Sequence, residues 1–247
     1  MDAFTSFFDS QSRGCWRYDT LSDFSQISPI VQTHLKKVYL TLCCALVASA
    51  VGVYLHLLWN IGGILTTIGC FGSIAWILAT PQCQEQKRVA LLLASAAFQG
   101  ATIGPVIELA INIDTGVLVS AFVGTAVAFG CFSAAAMLAR RREYLYLGGL
   151  LSSGMSILLL LQFASYFFGG STALFKIEMY FGLLLFVGYI VVDTQEMIER
   201  AHLGDKDYVK HALLLFTDFV AVFVRILIIM LKSSMEKDEK RKKKRSD

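Results

Sequence analysis

The stretch VVDTQEMIERAHLGDKDYVKHALLLFTDFVAVFVRIL, Val191–Leu227, decides how the rest of the chain is read. It links the end of one apolar run to most of another through a short polar loop. An acid stands inside each run, Asp193 and Asp218, and Arg225 follows seven residues later. An Asp or Arg at mid-membrane costs about 2.5–3.5 kcal/mol, and such residues turn toward a cavity or toward each other. The stretch therefore reads as two neighbouring membrane segments whose charges face inward.

Working outward, the apolar runs are Val38–Leu58, Ile61–Thr80, Val89–Ile107, Thr115–Ala139, Tyr144–Phe168, Met179–Ile198 and His211–Leu231. Each is near the length of about 20 residues needed to span a hydrocarbon core. Only Trp59 and Asn60 separate the first two, which predicts a tight hairpin. Gly100 and Gly104 are spaced as small-xxx-small, a pattern that lets helices approach closely. Pro105 is expected to kink or end that helix. The chain is 55% hydrophobic and 17% charged. Twenty of its 41 charged residues lie in the first 37 and last 16 positions. This distribution excludes a soluble enzyme with a polar shell, a disordered chain and a disulfide-stapled domain. The expected organisation is a cytosolic N-terminal segment 1–37, a membrane domain 38–231 and a basic tail 232–247. The fold class is all-α and polytopic: six transmembrane helices around a seventh, charged segment, either a full crossing or re-entrant. The mixed-charge N-terminal segment reads as having no cleavable leader, so Val38 begins the first anchor. Phe4, Phe7 and Phe8 within it suit either the headgroup layer or disorder.

Loop charge orients the bundle. The N-terminal segment and the second, fourth and sixth loops hold 12 Lys/Arg, against Lys176 alone in the other loops. The N-terminus is therefore expected in the cytosol. The tail adds eight Lys/Arg: a full last crossing makes the score 12 against 9, a re-entrant one 20 against 1. The second score favours six crossings, an unusual seventh segment at the centre and a cytosolic C-terminus. The six cysteines show no metal spacing, and Cys43, Cys44, Cys70 and Cys131 read as small buried hydrophobes.

Two readings of the intramembrane acids stand side by side. In one, Asp193 and Asp218 meet; two touching carboxyls cannot both ionise cheaply, so they hold a proton and titrate as a unit. Oxygen ligands also suit calcium, which makes the pair a candidate cation site. In the other, Asp193 reaches water at a helix end and an arginine neutralises Asp218. Arg225 is the candidate partner, although seven residues of helix separate the two by about 10 Å. Glu196, with Asp193 and Glu199, and Glu108, on the other side, are candidate pore-mouth acids; solvated or loop acids explain them equally. His56 and His211 read as interfacial. The basic run Lys240, Arg241, Lys242, Lys243, Lys244 and Arg245 suits anionic lipid or calmodulin, or a plain solvated tail, but not nucleic acid.

Four stretches, HLKKVYLTLCCALVASA at His34–Ala50, ARRREYLYLGG at Ala139–Gly149, VVDTQEMIE at Val191–Glu199 and HLGDKDYVKHALLLFTDFVAVFVRIL at His202–Leu227, carry a family likeness. The chain resembles the plant members of the transmembrane Bax inhibitor motif family, from about Ile27 to Leu231. The resemblance implies residence in the endoplasmic reticulum membrane, restraint of programmed cell death, stress tolerance and calcium handling. It makes Asp193 and Asp218 a pH-responsive latch on a calcium leak, and it implies calmodulin binding by the basic tail. Some bacterial relatives add an arginine lock from the second segment; Ile61–Thr80 has none, so that part does not carry over.

Two function classes follow: a pH-gated calcium leak, or a non-conducting scaffold that binds calmodulin and other membrane proteins. Calcium is the permeant or regulatory ion, and no cofactor is expected. An intramembrane aspartyl protease would also pair two aspartates. Its Tyr-Asp and Gly-x-Gly-Asp contexts are missing here, where Val192-Asp193 and Thr217-Asp218 stand instead. The chain is not read as an enzyme.

Overall fold

The computed structural model describes the backbone of residues 29–139, 147–168, 172–205 and 207–246, and their side chains except those of 29, 30, 166, 168, 172 and 238–246. Among the described residues there are seven helices: α1 Pro29–Trp59, α2 Ile64–Ala79, α3 Glu85–Ile113, α4 Thr115–Leu138, α5 Leu147–Phe168, α6 Thr172–His202 and α7 Tyr208–Ser246. Six are long and apolar enough to cross a membrane. The exception is α2, whose 16 residues rise only about 24 Å. Its expected start at Ile61 is spent on the turn. There Asn60 takes a left-handed φ of 49°, which Asn tolerates better than most side chains.

The last helix is the hub. It packs against α1, α3, α4 and α6, and half of its spanning residues are buried, against 11% in α5. Its buried positions Ala212, Leu215, Phe219, Val222 and Leu227 recur at helical spacing. It runs unbroken, so the re-entrant alternative is not taken. The start of α7 lies beside the starts of α1 and α3. His34 meets His211 edge to face with ring centroids 5.5 Å apart, and Arg88 meets Asp207. Farther along, Lys232 lies over Phe175 in the first turns of α6. Helices α1, α3 and α7 are therefore parallel, and the end of α7 leaves the bundle opposite the start of α1. The starts of α1, α3 and α7 are called the near end below.

Small residues set the α1–α3 contact, as the small-xxx-small spacing implies. A Cβ on Gly100 would collide with the Ser49 carbonyl, and one on Gly52 with the Ala97 carbonyl. A Cβ on Gly104 would strike the His56 ring.

Several sequence expectations need correction. Pro105 does not end α3, which continues to Ile113. Glu108 is consequently a helical residue, not a loop acid. His56 and His211 are buried, at 1% and 3% exposure, not interfacial. The His56 ring is fixed by the N–H of Gly62, which donates to its Nδ1 at 2.8 Å. Cys70 is buried as expected, but Cys43, Cys44 and Cys131 are exposed; a thiol is apolar enough to face lipid. Phe4, Phe7, Phe8, Cys15 and the Arg140–Arg142 loop lie outside the described residues.

Candidate functional site

The site is built where α6 and α7 lie side by side. Asp193 is nine residues before the end of α6, and Asp218 ten residues after the start of α7. Both carboxyls therefore lie about 15 Å below the near end by helical rise. The two carboxyls lie close enough to interact. A carboxylate has only acceptors, so a direct bond between the two needs at least one proton. The Asp218 side is the drier: the residue is 5% exposed, and its Oδ2 is buried without a hydrogen-bond partner.

The other sequence candidates do not join this pair. Arg225 is not the charge partner of Asp218. It lies over the ring of Phe186 at 4.4 Å, against Gly182, and its Nη1 donates to the Ala221 carbonyl at 3.1 Å. Helical rise explains this, because two turns carry the guanidinium away from the dyad. Glu196 is close enough to Asp193 to repel it, but Arg200 engages its carboxylate at 2.6 Å. Glu108 is half exposed at the far end, 3.6 Å from the His56 Nε2. The side chains of Lys240–Arg245 lie outside those described.

Two polar arrangements went unread in the sequence. The first ties the residues that follow Asp193 to α4, and through it to α1. The Tyr39 hydroxyl of α1 bonds to Ser133 of α4, and Ser133 bonds to Thr194 of α6 at 3.3 Å. Gln195 donates to the Ala136 carbonyl at 3.1 Å. The residues just after Asp193 are thus pinned to α4, leaving α7 as the other partner of the pair.

The second arrangement is a clasp at the near end. Arg88 makes a two-pronged bond to Asp207, both prongs 2.8 Å, with both side chains 5% exposed. Gln82 reaches the same carboxylate at 3.4 Å, and Tyr208 donates to Glu85 at 3.1 Å. Asp207 also caps α7, accepting from the Lys210 N–H at 3.1 Å. Burial alone pushes the Asp207 carboxyl up, but the bonds from Arg88 and Lys210, with the charge of Arg88, hold it below its ordinary value. The only local signal was an acid immediately before a helical run.

Among the described residues, no group of three or more His, Cys, Asp and Glu side chains could hold a metal. Calcium takes six to eight oxygen ligands, more than the two carboxyls supply by themselves.

Residues 31–235 match the family described as "Inhibitor of apoptosis-promoting Bax1". The chain is 71% identical to "Bax inhibitor 1" of Arabidopsis thaliana over 240 residues, covering 96% of this chain and 97% of that protein. It is 63% identical to "Bax inhibitor 1" of Oryza sativa subsp. japonica across the full length of both. The "Bax inhibitor 1" of Mus musculus is 43% identical over 231 residues, 92% of this chain and 96% of the relative.

Proposed function

The chain belongs to the family of inhibitors of apoptosis-promoting Bax1, and on that premise we propose that it suppresses programmed cell death from the endoplasmic reticulum membrane through a pH-responsive calcium leak. The observation that carries the leak reading is the contact between Asp193 and Asp218 inside the bundle. With one shared proton the bond is charge-assisted, roughly twice as strong as a neutral one. It holds the central helix α7 against α6. A second proton converts the pair to two neutral acids and weakens the hold, so α7 is freed. Acidification on the side that reaches the dyad then raises the leak. Loss of the last proton instead sets two like charges in contact. The near end, with its basic loops, faces the cytosol in this reading.

The test is calcium efflux from liposomes holding the purified protein, scanned over pH for wild type, Asp193→Asn and Asp218→Asn. Efflux should rise on acidification in wild type, and either amide should flatten the response. No efflux from any folded variant, or efflux indifferent to pH in wild type, overturns the leak.

A second reading is a scaffold that regulates death by binding calmodulin and other membrane proteins. One observation favours it: the backbone of α7 stays helical through Lys240–Arg245, the form in which calmodulin captures its targets. Calmodulin binding needs the tail in the cytosol, whereas a cytosolic near end and a full α7 crossing send it to the other side. Removing residues 238–247 separates the readings. A scaffold loses protection with flux intact; a leak keeps its flux and its protection.

A further inference from the structure

An apolar crevice of about 340 Å³ lies among α1, α3, α4 and α7, and neither Asp193 nor Asp218 is on its lining. Its walls include Leu46 and Val53 of α1, Ile107 of α3 and Phe122 of α4, and its floor is Phe219 and Phe223 of α7. Ser49 is the one polar side chain on its lining. The crevice exists because α1 and α4 diverge. They make little close contact with one another and are tied through the Tyr39 and Ser133 hydroxyls, toward the near end. Farther along, α1 is drawn against α3 by Gly52 and Gly100, while Phe122 of α4 leans edge to face on Phe219 and Phe223. A wedge is left between the two helices.

We propose that this wedge is a binding site for one acyl chain of a membrane lipid, taken from the leaflet at the far end. Three observations choose that occupant. The lining offers no charge and a single hydroxyl-bearing residue, so neither an ion nor a headgroup is matched. Its rim is continuous with the lipid-facing surface. Val47, Val51 and Tyr54 of α1 and Val119 and Val123 of α4 are all more than half exposed on helices that span the membrane. Its depth is on the far side of the midplane, where α4 begins, so the chain enters from that leaflet. An engineered apolar cavity of about 150 Å³ stays dry and takes up benzene; this one is more than twice as large. The floor residue Phe219 follows Asp218 directly. The bound chain therefore presses on the helix that carries the inner carboxyl. The site is independent of whether the protein conducts calcium.

The test uses the full chain in vesicles of phosphatidylcholine carrying a diazirine near the end of one acyl chain. After illumination, labelled residues are mapped by mass spectrometry. Label is expected on Phe219 and Phe223 as well as on the outer residues Val47 and Val123. Val119→Trp, at the exposed rim, should remove the floor label and leave the outer label. Val123→Trp, on the outer face, should leave the floor label and the label on Val47. A wild-type floor without label, or a floor label that survives Val119→Trp, overturns the site. Near-wild-type melting of the rim variant shows that it is folded. If it is not, Val53→Phe at the crevice wall is read in the same way.

Discussion

At the scale of single residues, ionisable groups placed in apolar surroundings must find partners, and they do so in two different ways. Asp193 and Asp218 lie close enough to interact across α6 and α7. Arg88 and Asp207 lie 119 residues apart, and nothing local links them. Breaking such a buried pair by removing one member leaves an uncompensated charge, worth about 3 kcal/mol. Arg88→Ala should lose about that much stability in detergent unfolding, far more than Lys87→Ala beside it, whose parent residue is exposed. Asp207→Asn should break the ion pair but retain the cap, because Asn also caps helices; Asp207→Ala should cost about 1 kcal/mol more. Acid dependence follows with a definite sign. The folded-state carboxyl is held below its ordinary value, so its contribution is complete above the unfolded value of about 3.9. That contribution is lost as pH falls through the lower folded value. Melting curves taken on the acid side of about pH 4 should show this loss in wild type, and Asp207→Asn should show less of it.

At the scale of helices, the apolar runs announced that seven elements exist, but their ends were set by contacts. Pro105 lacks an N–H and was expected to kink or end α3; it does not end it, and the helix carries on for two more turns. Backbone groups in a bilayer have no water to turn to, so a membrane helix accommodates a proline by local adjustment instead of stopping. Glycines show the same dependence on context. In an isolated helix, Gly→Ala gains about 1 kcal/mol. Gly124 and Gly130 of α4 have open space where a Cβ would stand, so Gly124→Ala and Gly130→Ala should melt at or above the wild-type temperature. Gly100→Ala and Gly52→Ala drive a methyl into a neighbouring carbonyl and should melt lower, as α1 and α3 are forced apart. The same exchange thus changes sign with its neighbour. Equal effects at all four positions would refute the close α1–α3 packing.

At the scale of the whole molecule, the arrangement is a hub and its wrapping. Helix α7 contacts four others, α5 packs on α6, and α2 on α3. Because α1 and α7 run parallel, their starts share one end of the bundle. Thiol labelling provides the check. In a protein whose other cysteines are serine, exposed Cys83 marks the near end and Ser233→Cys marks the far end. A membrane-impermeant reagent added to sealed vesicles of uniform orientation should reach one and not the other. Labelling of both from one side would mean that α7 does not cross.

The sequence by itself determined the solvent, the helical class, the number of apolar runs and the central place of the charged last run. These follow from hydropathy and from the cost of an unpaired charge in lipid, both of which can be read one segment at a time. Tertiary structure alone decided that the acids come within reach of each other, that Arg225 turns to Phe186 instead, that Arg88 clasps Asp207, and that α1 and α4 leave an apolar wedge. Each of these depends on the rotation and approach of helices distant in the chain. Where two glycines let backbones meet, neighbouring helices must diverge, and local sequence carries no record of that geometry.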